Sequence, residues 1–178
     1  MNIVTNWDIS SESDDPCFVV GLVDTSIHLY DCLNPSWTRI HGSSAKGEGF
    51  GDTSLSAFQA KITSLESDSQ LSVQVILGLQ NGAIVYYRGT TCGPGCISAD
   101  AGYDWITLEN KKGNCCLWTD SSFVEVQWPD ENSFYTGLRV VVGVNEEKTQ
   151  DGVLVDTSTV RFNNDALDGG DWNNLGTL

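Results

Sequence analysis

The sequence predicts an all-β fold, a β-propeller with three four-stranded blades in the chain, and three observations predict it. The first is the stretch Val73–Gly89, VQVILGLQNGAIVYYRG, two runs rich in β-branched and aromatic residues joined at Asn81-Gly82. That dipeptide tolerates the positive φ of a two-residue type I′ turn, so the stretch reads as a β-hairpin. The second is that the hairpin recurs, as CFVVGLVDTSIHLYD from Cys17 to Asp31 and as LRVVVGVN from Leu138, a polar insertion, then DGVLVDTSTVRF; Gly21, Gly78 and Gly143 align. The third is a Trp-bearing segment after each hairpin: SWTRI at Ser36–Ile40, DWITL at Asp104–Leu108 and DWNNL at Asp171–Leu175. With one more strand expected before each hairpin, the unit is four antiparallel strands, the composition of a propeller blade.

Taken in order, the blades fall at about residues 1–42, 53–110 and 117–178 of a single domain. NIVTNWDI from Asn2 supplies the first strand, SSESDDP its turn, and Cys17–Asp31 the first hairpin, whose turn is expected at Asp24-Thr25. The loop CLNPS leads to the Trp37 strand. GSSAKGEGFGDT, Gly42–Thr53, is too rich in glycine for a helix and marks the boundary between blades. In the second blade the strand SLSAFQAKI precedes the hairpin, and the loop before Trp105 holds CGPGC and ISADAGY, an insertion of the kind that carries recognition on a rigid scaffold. KKGN leads into the third blade, where SSFVEVQW is the first strand, NEEKTQDG a polar insertion in the hairpin turn and NNDALDGGD the last loop. No segment shows a 3.6-residue apolar period, so helix is not expected.

Three blades do not close a ring, because propellers use at least about four. Two chains related by a two-fold axis would give six blades and bury both open ends, so a homodimer is the expected assembly, with a fragment of a longer propeller as the rival explanation.

The chain has 178 residues and a net charge of −15, nine Lys and Arg against 24 Asp and Glu. That balance opposes nucleic acid as a partner, since phosphate neutralisation needs basic side chains, and it is equally poor for an anionic membrane surface. No run approaches the roughly 18 apolar residues of a spanning helix, so membrane insertion is not expected. Six cysteines favour disulfides over zinc, because no paired CxxC spacing exists and His28 and His41 stand outside any ligand motif. With a turn at Asp24-Thr25, Cys17 and Cys32 fall opposite one another; Cys92 and Cys96 bracket Gly-Pro-Gly; Cys115 and Cys116 remain. Disulfides imply secretion with the signal missing from the sequence, a cytoplasmic location being the alternative.

No catalytic constellation appears: there is no GxSxG, HExxH or Walker loop, and no cofactor is expected. Asp165, Asp168 and Asp171 suggest calcium, but their spacing departs from the EF-hand and a solvated acidic turn is the simpler reading. The aromatic inventory is more informative. Trp37, Trp105 and Trp172 recur once per repeat, with Tyr30, Tyr86 and Tyr87 on the hairpins. Indoles stack on the apolar face of sugars, yet a Trp repeated in every blade is as readily a packing element.

The pattern of TSLSAF at Thr53–Phe58, SIHLYD at Ser26–Asp31, LRVVVG at Leu138–Gly143 and three terminal Trp strands resembles the fungal fucose-specific lectin family. The resemblance implies six-bladed propellers that hold sugar between blades, with an Arg on the first hairpin strand, a Glu on the second and an aromatic ring beneath. The Arg position falls on Cys17, Gln74 and Arg139, and the Glu position near Leu29, Tyr86 and Val155, so only Arg139 keeps the pattern. The expectation is a secreted, non-catalytic glycan-binding lectin whose ligand contacts are Arg139, Trp37, Trp105, Trp172 and Tyr87. The alternatives are a secreted protein-interaction propeller using the loops around Cys92 and Lys148, or a propeller-fold glycosidase.

Overall fold

The computed structural model describes residues 18–21, 27–41, 55–65, 70–79, 83–108, 118–128, 137–168 and 170–177. Among them all regular structure is β-strand, arranged as three antiparallel sheets. The first is β1 (Phe18–Gly21), β2 (Ile27–Asp31) and β3 (Ser36–His41), side by side in chain order. The second joins β4 (Leu55–Leu65), β5 (Gln70–Leu79) and β6 (Ile84–Gly93). Two short strands lie in tandem on the free edge of β6: β7 (Cys96–Ala99) beside Gly89–Gly93, and β8 (Ile106–Thr107) beside Val85–Tyr86. The third is β9 (Trp118–Gln127), β10 (Arg139–Gln150), β11 (Val153–Asn163) and β12 (Asn173–Thr177).

The three sheets stack face to face around two apolar cores, and the stretch Val73–Gly89 forms the heart of the middle layer. Alternate side chains of a strand point to opposite faces. Accordingly Val73, Val75, Leu77, Val85 and Tyr87 meet Val19, Ile27 and Leu29 of the first sheet. Ile76, Ile84 and Tyr86 point the other way, against Val124, Val140, Val142 and Val144 of the third. Burial on both faces explains why β5 is apolar without a break from Val75 to Leu79.

The hairpin turns differ from the sequence reading in three ways. In the middle sheet Gly78 pairs with Ile84 and the Leu79 N–H donates to the Ala83 carbonyl at 2.9 Å. Partner numbers there sum to 162 and not to the 163 that a turn at Asn81-Gly82 requires; residues 80–82 lie outside the described residues. In the first sheet Gly21 pairs with Ile27, so partner numbers sum to 48 and not to the 49 that a turn at Asp24-Thr25 requires. The third hairpin has a two-residue turn among the described residues. Gln150 pairs with Val153 across Asp151 (φ 50°) and Gly152 (φ 79°), the two positive angles of a type I′ turn. The polar segment NEEKTQ is thus not a loop insertion: it continues β10, paired residue by residue with β11.

Cys92 and Cys96 are joined by a disulfide, with Cα atoms 5.1 Å apart. Cys32 is also disulfide-bonded, while Cys17, Cys115 and Cys116 lie outside the described residues. So do the strand expected from Asn2 and the connector Gly42–Thr53. The loop CLNPS is held by Asp31, whose Oδ1 accepts the N–H groups of Leu33 and Asn34 at 2.9 and 3.0 Å, an Asx-turn. No helix among the described residues is long and apolar enough to cross a membrane.

Candidate functional site

The recurring Trp residues occupy comparable places in the stack but different environments. Trp105 follows the loop that carries β7 and stands at φ 49°, an angle rare for a bulky residue. Its ring stacks on Tyr87 with centroids 5.0 Å apart and faces the first sheet, leaving 9% of the residue exposed. Burial, then the charges of Asp104 and Asp100, push the Tyr87 hydroxyl pKa up to about 12. Trp172 lies in the core between the second and third sheets, and its Nε1–H donates to the buried Leu108 carbonyl at 2.9 Å. Trp37 sits directly across from Tyr30, with ring centroids 5.2 Å apart, and is 54% exposed. The difference follows from position. Trp105 and Trp172 each belong to a sheet with another before it in the stack, whereas Trp37 is on the outward face of the first.

Arg139 lies at the opposite end of the stack, where it opens β10 on the outer face of the third sheet. It lines a groove of about 220 Å³ with Gln127, Val141, Phe162 and Asn164 among its walls. The Arg139 Nη1 donates to Gln127 Oε1 at 3.1 Å, which holds the guanidinium along the groove. Val141 and Phe162 are direct cross-strand partners and supply an apolar surface beside that charge. The groove therefore combines a cation, three carboxamide residues and one aromatic ring.

A second polar cluster, not anticipated from the sequence, braces the middle sheet. Arg88 Nε pairs with Asp100 Oδ2 at 2.6 Å, and its guanidinium carbon lies 3.9 Å above the Tyr103 ring. Backbone hydrogen bonds from Arg88 N to Tyr103 O and from Asp100 N to Arg88 O fix the same loop. Beside it the Tyr86 hydroxyl donates to Gln74 Oε1 at 2.7 Å. Burial raises the Tyr86 pKa well above its ordinary value, opposed by Arg88 and reinforced by Tyr103 and Asp100. Gln74 and Tyr86 are the positions at which the lectin resemblance puts Arg and Glu, and here they bond to each other. Alternation on β6 was the available signal, since it places Arg88 on the face of Tyr86 and in register with Gln74.

The acidic last loop is organised by an amide. Asn163 is 2% exposed; its Oδ1 accepts from Asp165 N at 2.9 Å and its Nδ2 donates to the Gly170 carbonyl at 2.6 Å. Among the described residues no three His, Cys, Asp or Glu side chains converge as a metal site.

The five residues expected to contact ligand thus do not form one site. Tyr87 and Trp105 meet at the first junction, Trp172 is at the second, and Trp37 and Arg139 are on opposite ends. Gln127, Phe162 and Asn164 join Arg139 unannounced. The register set by Asp151-Gly152 places Phe162 beside Val141, but reading NEEKTQDG as a loop hid it. Comparison with known protein families, curated proteins and solved structures finds no match to this chain.

Proposed function

We propose that the chain is a three-bladed arc of a β-propeller that binds glycans without catalysis, through the groove around Arg139. The blade reading is supported by three antiparallel sheets that each keep their strands in chain order and pack face to face in sequence. The observation that carries the functional reading is the groove itself, where the Arg139 guanidinium is anchored by Gln127 beside the Phe162–Val141 surface. A pyranose has an apolar C–H face and a rim of hydroxyls. Phe162 offers the first a ring to lie on, and Arg139, Gln127 and Asn164 offer the second hydrogen-bond donors and acceptors. Disulfides at Cys92–Cys96 and at Cys32 fit an oxidising, extracellular setting.

A hydrogen bond to a charged donor contributes about 1.5–3 kcal/mol. Arg139→Ala is therefore expected to weaken binding on a glycan array by about tenfold to a hundredfold. Circular dichroism should show that the variant is folded. Unchanged glycan binding by the variant removes Arg139 from the site.

One observation favours a second reading, a protein-interaction propeller. Among the described residues no strand flanks the hairpin beyond Glu146 on β10 and Thr159 on β11, where the pairs run from Glu147–Asp156 to Gln150–Val153. Val153 is 63% exposed and Val155 37% exposed there. Such an edge can accept a strand from another protein. A silent glycan array together with loss of a protein partner on Val153→Lys would select this reading.

A further inference from the structure

We propose that a second copy of this chain docks head to tail on the stack, the third sheet of each copy against the first sheet of the other, closing a ring of six sheets. The inference rests on the propeller reading above and uses the same outer face as the Arg139 groove, which would then lie at the seam between the two copies. Its basis is that the two end faces carry the two halves of a junction that the chain forms twice within itself.

The hairpin registers make the comparison residue by residue. Gly21 pairs with Ile27, Gly78 with Ile84 and Gly143 with Val160. Counting from those pairs, Ile27, Ile84 and Val160 are equivalent, as are Leu29, Tyr86 and Phe162. At each internal junction the earlier sheet contributes these positions: Ile27 and Leu29 enter the first core, Ile84 and Tyr86 the second. The third sheet repeats them as Val160 and Phe162, flanked by Val141, on its outer and partly exposed face. The later sheet contributes a Trp to each junction, Trp105 over Tyr87 to the first and Trp172 to the second. The first sheet repeats that half as Trp37 over Tyr30, with nearly the same ring separation, 5.2 against 5.0 Å, yet Trp37 is 54% exposed.

The end faces are therefore unlike each other, and each matches the half that its counterpart meets inside the chain. A face-to-face dimer of like ends would set Trp37 against Trp37, a pairing not found among the described residues. A head-to-tail contact continues the internal junction, and with three sheets per chain it closes under a two-fold axis at six, within the propeller range of about four to eight. Closure also removes a large exposed indole from water.

The test is solution mass by light scattering without sugar, on wild type, Trp37→Asp and Val141→Asp, with circular dichroism to establish that each variant is folded. Wild type is expected at twice 19.3 kDa and each variant as a monomer. Mixing the two variants should restore the doubled mass, because a heterodimer keeps one junction in which both faces are intact. Should Val141→Asp fail to fold, Val160→Lys replaces it on the same face. Wild type that stays at 19.3 kDa over a wide concentration range overturns the proposal. So does a Val141→Asp variant that still dimerises, or a mixture that recovers nothing. Glycan binding with a monomeric mass would sink the ring and leave the functional reading standing, and a doubled mass with a silent glycan array would do the reverse.

Discussion

Trp172 illustrates how a single atom separates packing from ligand contact. Its Nε1–H donates to the Leu108 carbonyl inside the second core, so Trp172→Phe keeps most of the ring and deletes one buried bond. A buried acceptor left without its donor costs about 1–3 kcal/mol, and urea unfolding should show that loss with glycan binding unchanged. Trp105→Ala removes more. The indole is 9% exposed and stacked on Tyr87, and truncating a buried aromatic costs about 3–5 kcal/mol. The Tyr87 hydroxyl also gives the fold an alkaline limit. Its pKa rises from 10.0 to about 12, so the folded chain holds this proton more tightly than the unfolded one. Its contribution is complete below pH 10 and is lost as the pH rises through about 12. Tyr86 is shifted in the same direction. Denaturant midpoints measured across that window should fall together with the appearance of phenolate absorbance; a flat profile would contradict the burial of both hydroxyls.

At the scale of elements, the chain's turn chemistry is uneven. Asp151-Gly152 forms the two-residue turn that the other hairpins were expected to have, and it turns a polar insertion into a ribbon. Gly152 has open space around its Cα, so a substitution there meets only backbone strain. Gly152→Val should cost about 1–2 kcal/mol, read as faster amide exchange from Lys148 to Val155 while the cores remain protected. The Cys92–Cys96 bridge closes a short loop with a sequence separation of 4. Chain-entropy reasoning gives such a loop about 2 kcal/mol. The strands themselves were legible because alternation and β-branched runs are local signals. Turn registers were not, since Asn81-Gly82 and Asp24-Thr25 both read locally as turns and the register is decided by which side chains must enter each core. Trp105 was legible as an element of the repeat, but its burial was not, because that depends on the sheet lying before it.

The described residues form a stack whose interior was readable and whose ends were not. Repetition of the hairpin led to an expectation of three units, the described residues form three sheets, and the alternation of Val73–Gly89 contains the two-faced burial of the middle one. The groove escaped because it gathers Gln127, Arg139, Phe162 and Asn164 from three strands and a loop, with no shared spacing. Arg139 alone stood out, as the one hairpin position that kept a cation. The most direct test of glycan binding is amide chemical-shift mapping of the wild-type protein titrated with a panel of simple glycosides. Saturable shifts centred on Gln127, Arg139, Phe162 and Asn164 for at least one sugar are the predicted result. Shifts confined to the Val153–Val155 ribbon, or none with any sugar, would contradict the account.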